Sequence, residues 1–374
     1  MKKRSAVFAL LFIFSVLVWG ISSPAPAKAA EDPTVKWEYV SAWAVNNPLY
    51  QYDLYISKKV SDMTNGKFSI KVHPAGEMVP SFETFDSVSS GAFQAGSTAP
   101  AFQSGLNSCF TLFSTMPLYF SQQDFMNWLY QVGGLKKFNE ILQPYNLTIF
   151  PYSIFDVEAG FRSHKELRNV KDYKNLKLRM GTPEGQEMLK RIGASTMSIS
   201  GGELYDAMQR HVIDAFEYMT PNVDFDMGFQ EVSEYWVAPA WYQTSCVYYT
   251  FCNTDAWNKL PGNYRTIFEE VAKACTLESS SYMNWQSAMG TKKFIDYGVK
   301  VIKADKSFWK ELAPIAKQVM EEFASKNPDY AVVLKSQVDY LKTYNLWRNI
   351  EAPFNSGFIV DDLPEVKEEW LVKK

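Results

Sequence analysis

Arg179 is the side chain in this sequence best suited to hold an anion. It stands in Leu176–Met180, where Leu176, Leu178 and Met180 alternate with Lys177 and Arg179. A guanidinium fork offers a carboxylate two parallel N–H donors, which supplies charge and orientation together. The same alternation also suits a strand with a solvated charged face, so the residue alone leaves both readings open. The 41 carboxylates could supply a glycosidase-type pair, but no local motif singles out two of them. GxGxxG after a strand, GxxxxGK[ST], HExxH and GxSxG are all missing. Of the three histidines, His164 and His211 sit among charged and polar neighbours and read as solvated. The cysteines, Cys109, Cys246, Cys252 and Cys275, are irregularly spaced with no CxxC, which argues against zinc. Three have apolar or aromatic neighbours and read as small buried hydrophobes, although an exported protein could pair them.

These residues are carried by alternating strand and helix patterns. Lys36–Trp43 alternates as a strand and Asn46-Asn47-Pro48 ends it. A helix follows with Tyr52, Tyr55, Ile56, Val60 and Met63 on one face, and Lys67–His73 is a second strand. Strand, helix and strand within forty residues make a βαβ unit and hence a parallel sheet. Phe82–Ser90 predicts a short helix, and Gly91–Ser97 returns to the sheet. Gln123–Gln143 predicts one long helix, Leu147–Pro151 and Asn175–Met180 strands, and Pro183–Ile192 a helix with proline in its first turn. Gly202–Gln209 reads as a helix and Ile213–Tyr218 as a strand. Val247–Asn253 is a strand apolar enough for burial on both faces. Beyond Pro261 the pattern is helical, over Tyr264–Ser287 and Phe308–Lys326. The fold class expected is α/β, two-lobed, with a helical C-terminal third.

With 374 residues, 47% of them hydrophobic and 21% charged, the chain has the composition of a globular protein of about two domains. Lys2, Lys3 and Arg4, the apolar run Ala6–Ile21 and the small residues of Ala27-Lys28-Ala29 predict a signal peptide over 1–29. Its removal takes away four basic residues and no acidic one, changing the formal charge from −3 to −7. An acidic exported protein has no footprint for nucleic acid, and it must meet an anionic ligand through a local positive site.

Several segments, taken in order, resemble the solute-binding subunit of TRAP transporters, the tripartite ATP-independent periplasmic carriers. They are Ser41-Ala-Trp-Ala-Val-Asn-Asn-Pro-Leu49, His73-Pro-Ala-Gly-Glu-Met-Val-Pro-Ser-Phe82, Phe110-Thr-Leu-Phe113, Trp128-Leu-Tyr130 with Gly133-Gly134, and Tyr145-Asn146 to Phe150-Pro151. The core is Leu176-Lys-Leu-Arg-Met-Gly181, Ser200-Gly-Gly-Glu-Leu-Tyr205 and Ile213-Asp-Ala-Phe-Glu-Tyr218, closed by Pro239-Ala-Trp-Tyr-Gln243 and Phe251-Cys-Asn253. The likeness is to the branch that binds 2-oxo and 2-hydroxy monocarboxylates.

The resemblance implies a periplasmic protein with two lobes joined by crossing strands. The expected division is 30–155 for the first lobe, 156–250 for the second, and 251–374 for a return to the first lobe plus the C-terminal helices. It implies a non-catalytic carrier that passes a small organic acid to a membrane permease. Arg179 matches the carboxylate-binding arginine. Glu217, the Tyr218 carbonyl, Glu158 and Gln243 match ligands of a bound cation, Ca²⁺ or Na⁺. Oxygen donors suit such hard ions. The family commonly has Gln where this chain has Glu158, and a second carboxylate favours Ca²⁺. Trp43, Asn46, Phe102, Trp241 and Tyr242 are candidate walls, and Tyr218 and Glu158 also face the ligand in this reading. His211 replaces a usual helix-ending Gly, and the stretch from Glu158 to Phe161 is about two residues shorter than the family pattern. The alternatives are a binding protein for a dicarboxylate or sugar acid, and a periplasmic carboxylate-pair hydrolase. The C-terminal helices, Gln337–Leu346 among them, suit either a homodimer or an intramolecular brace.

Overall fold

Alternating apolar residues over 35–73 build the first two strands of one sheet, as expected. The computed structural model describes residues 32–351, so the signal-peptide region and the last residues lie outside the description. In chain order the first elements are β1 (Val35–Ser41), α1 (Pro48–Met63), β2 (Phe68–His73), α2 (Thr84–Ser89), β3 (Ala95–Thr98), α3 (Phe110–Ser114), α4 (Gln122–Gln131), α5 (Gly134–Leu142) and β4 (Leu147–Phe155). Next come β5 (Phe161–Ser163), β6 (Lys177–Arg179), α6 (Pro183–Arg191), β7 (Ser195–Met197), α7 (Leu204–Gln209), β8 (Ala215–Phe216), α8 (Pro221–Asp226) and β9 (Tyr235–Ala238). The chain closes with β10 (Cys246–Asn253), α9 (Thr254–Lys259), α10 (Gly262–Tyr297), β11 (Lys300–Lys303), α11 (Lys306–Lys326) and α12 (Pro328–Glu351).

Two mixed sheets result, ordered β2-β1-β3-β10-β4 and β11-β9-β5-β8-β6-β7. β1 lies parallel to both β2 and β3, with Trp37 opposite Ile70 and Val40 opposite Gly96, as the βαβ reading requires. β10 is buried at every residue and runs antiparallel between β3 and β4. The chain crosses between sheets from β4 to β5 and returns from β9 to β10. α1 starts where Asn47 accepts a hydrogen bond from the Leu49 amide at 2.9 Å, with Pro48 at its first position.

Several elements differ from expectation. The single helix over Gln123–Gln143 is two helices, because Gly133 takes a left-handed φ of 90° between α4 and α5. Met63 is exposed, off the apolar face of α1. The Ile213–Tyr218 strand pairs only over Ala215–Phe216, and α10 runs ten residues past Ser287. β11, a strand that no alternation announces, joins the second sheet beside β9, and α11 packs on that sheet's core through Phe308, Leu312 and Val319. All four cysteines are free and buried.

His211 does take the left-handed conformation, at φ 53°, that a helix-ending glycine would adopt without strain. Its ring lies 4.5 Å from that of His164, tilted by 42°, so two histidines far apart in sequence meet beside the second sheet. His73 is buried and bridges Glu38 and Glu77 at 2.5 and 2.6 Å, tying the turn after β2 back to β1.

Candidate ligand and cation site

Ligands of open α/β sheets gather outside the carboxyl ends of strands. Here the ends of β1, β3, β6 and β8, with both crossings, surround one cavity of about 430 Å³. Its aromatic wall is Trp43, just past β1, set edge-on to Tyr248 at 5.3 Å and tilted to Phe102 at 5.9 Å. Trp43 is fixed from behind: its Nε1 donates to the Tyr152 hydroxyl at 2.7 Å and its amide to Ser41 Oγ at 3.1 Å. Ser41, Ser97 and Tyr39 in turn donate to Asp53, whose burial raises its carboxyl to about 7.

Strand register explains the charged wall. β6 and β8 are parallel neighbours with Arg179 beside Phe216, so Glu217 emerges next to the guanidinium. Arg179 Nη1 donates to Glu217 Oε1 at 2.6 Å and to the Glu217 carbonyl at 2.8 Å, and Nε donates to the Ile199 carbonyl at 3.2 Å. The Gly181 amide donates a further bond to Glu217 Oε1 at 2.5 Å. These contacts hold the fork still while Nη2 keeps no acceptor among the described residues, which is how a preorganised anion donor looks. Tyr218 covers the guanidinium from 6.0 Å, and Gly201 approaches so closely that a Cβ there would lie 2.4 Å from the Tyr218 ring.

Glu158, on the β4–β5 crossing, is buried beside this pair. Its amide donates to the Gln243 carbonyl at 3.2 Å, which joins the two crossings. Cys246 donates to Oε1 at 3.2 Å, but Oε2 is buried with no hydrogen-bond partner. Burial first, and then the facing Glu217 carboxylate, push Glu158 well above the usual carboxylate range. Burial also raises Glu217, against the pull of Arg179. An orphaned buried oxygen beside a second carboxylate and an amide is a donor set that a hard cation satisfies. No cluster of three or more His, Cys, Asp or Glu suited to a metal occurs among the described residues, so nothing here resembles a transition-metal cage.

Arg179, Glu158, Glu217, Tyr218, Gln243, Trp43, Asn46 and Phe102 all line this one cavity. Trp241 does not, and neither does Tyr242. Both turn into the core of the second sheet, where their rings lie 6.2 and 5.0 Å from Phe161. Of this segment only Gln243 lines the cavity. Cys246, read from sequence as a bland core residue, does line the cavity, as do Asn47 and Tyr248. Cys246 follows Gln243 by three residues and opens an all-buried strand, the one sequence signal that could have brought it forward.

Known proteins point the same way. The family model described as bacterial extracellular solute-binding protein, family 7 (DctP), matches residues 39–327. A monocarboxylate 2-oxoacid-binding periplasmic protein of Nostoc sp. strain PCC 7120 is 27% identical over 85% of this chain and 87% of its own length. A TRAP transporter solute-binding protein of Bordetella bronchiseptica, a dimer holding calcium and picolinate, superposes with a TM-score of 0.82 at 26% identity, covering 86% of this chain and 95% of that one. A TRAP periplasmic solute-binding protein of Pseudoalteromonas atlantica, with sodium and pyruvate bound, gives 0.80 at 26% identity, covering 85% and 97%. Register, cavity and likeness converge: this chain belongs to the DctP family, the periplasmic solute-binding subunits of TRAP transporters.

Proposed function

We propose that the protein captures a small 2-oxo or 2-hydroxy monocarboxylate, of the pyruvate or lactate kind, and delivers it to a membrane permease without transforming it. One observation carries this reading: a guanidinium anchored on one edge by Glu217 shares a cavity with the unpartnered Oε2 of Glu158. The ligand carboxylate pairs with Arg179. Glu158, Glu217, Gln243 and the Tyr218 carbonyl would hold a cation, which supplies positive charge to the carboxylate and its neighbouring 2-oxygen. Picolinate and pyruvate, bound by the Bordetella and Pseudoalteromonas proteins, share a carboxylate with a second donor beside it. Those two relatives hold calcium and sodium respectively, and the second carboxylate here favours Ca²⁺.

A dicarboxylate or sugar acid fits less well. Arg179 is the sole cationic side chain among the described cavity residues, so a second carboxylate would be buried without a partner. The test is a thermal-shift screen of purified protein against small acids with Ca²⁺, with Na⁺ and with chelator. Pyruvate at 100 times its dissociation constant should stabilise by about 2.7 kcal/mol, and chelator should remove the shift. A shift with succinate alone would replace this ligand, and one indifferent to chelator would remove Ca²⁺.

We place the working protein in the periplasm, cleaved near Ala29. No described helix is long and apolar enough to cross a membrane. α12 braces the first core through Val333, Tyr340 and Leu341, and the exposed Leu346, Trp347 and Ile350 at its end are the face we assign to a homodimer contact. Intact mass and sedimentation velocity of the exported protein check both points; a retained leader or a single-chain mass would contradict them.

A further inference from the structure

Three of the four cysteines are core residues of the two large clusters around the first sheet, and the fourth is different in kind. Cys246 also packs on that core, but its thiol forms part of the cavity wall. Sγ lies 2.8 Å from Gln243 Nε2 and 3.2 Å from Glu158 Oε1. A thiol has one proton to give and a sulfur that can accept, so it serves the carboxylate and the amide at once. Each contact has a consequence for the oxygen it leaves over. The amide nitrogen of Gln243 is turned to sulfur, which leaves Oε1 without a hydrogen bond among the described residues. Glu158 has Oε1 engaged by the thiol, and Oε2 is the orphan.

We propose that Cys246 is a positioning residue: its thiol grips one atom each of Glu158 and Gln243 so that their remaining oxygens face the cation. The proposal rests on the cation reading above. Serine can make both contacts, because a hydroxyl donates and accepts as a thiol does. Alanine can make neither. Groups one layer behind a metal's ligands, which fix ligand orientation, typically change metal affinity by about 10- to 100-fold when removed.

The experiment is a calorimetric Ca²⁺ titration at fixed pyruvate on wild type, Cys246→Ala and Cys246→Ser. An independent measurement is the infrared S–H stretch of cation-free protein. Cys246→Ala should weaken Ca²⁺ about tenfold, and Cys246→Ser should restore it to within about threefold. The S–H band lost in Cys246→Ala should lie below those of the other thiols, because it donates to a carboxylate, and should move in Glu158→Gln. Wild-type Ca²⁺ affinity in Cys246→Ala overturns the role, as does an S–H band that ignores Glu158→Gln. A wild type whose pyruvate binding ignores Ca²⁺ and chelator alike overturns the cation reading and this role with it, and that failure is visible in the wild type alone.

Discussion

Arg179→Ala is expected to weaken pyruvate binding by about 2–5 kcal/mol, the cost of removing one half of a desolvated charge pair. The ligand carboxylate loses its fork, and no other cationic side chain of the described cavity can replace it. Glu217 keeps the Gly181 amide but loses Nη1, so some loss of stability should accompany the loss of affinity. Arg179→Lys separates charge from geometry. An ammonium restores attraction but not the parallel donors or the three contacts that fix the guanidinium, so its affinity should fall between wild type and alanine. Calorimetry decides affinity, and circular dichroism checks that the fold survives. An alanine variant binding pyruvate like wild type would move the site elsewhere.

The largest effect on stability is expected at Arg162. This arginine on β5 is wholly buried, donating from Nε to Asp224 Oδ2 at 3.0 Å with Nη2 at 2.9 Å. Its guanidinium lies 3.9 Å from the Phe294 ring centroid and 4.5 Å from that of Trp236. Asp224 spends its other oxygen on the Met219 amide at 3.2 Å, directly behind the Glu217-Tyr218 edge of the cavity. Arg162→Met leaves Asp224 buried and uncompensated, for which about 3–5 kcal/mol of destabilisation is expected. The double variant Arg162→Met with Asp224→Asn should recover part of this, because it removes the stranded charge as well. Urea unfolding measures both. A single variant within about 1 kcal/mol of wild type would mean that water reaches Asp224.

How much of this was legible in the residues depends on scale. β1, α1 and β2 have enough alternation and a clear stop at Asn47-Pro48 and Asn65-Gly66, so their order and pairing follow from pattern. β5, β7, β9 and β11 are three or four residues long, too short for a period of two to register, and they form most of the second sheet. The break between α4 and α5 lay in plain view as Gly133-Gly134, yet the apolar spacing on either side runs through it. α10 changes partners along its 36 residues, from the first sheet's core to α8, so no single apolar face marks its end. The site shows the same division. Arg179 and Glu217 became neighbours through strand register, which a motif can carry. Trp241 was misplaced because an aromatic residue suits a core and a pocket equally. Arg162 was missed because its residue type predicts exposure, and only a partner far along the chain makes burial tolerable. Cys246 was missed for the opposite reason, since a thiol in apolar company reads as filling.

The most direct measurement of the central claim is calorimetric titration of the exported, leader-free protein with pyruvate, with Ca²⁺ and again with chelator, beside succinate. Binding of one pyruvate per chain that needs the cation, with no heat from succinate, is the result this account predicts. Tight succinate binding with no response to pyruvate would contradict it, because it would require a second cationic group that the described cavity lacks.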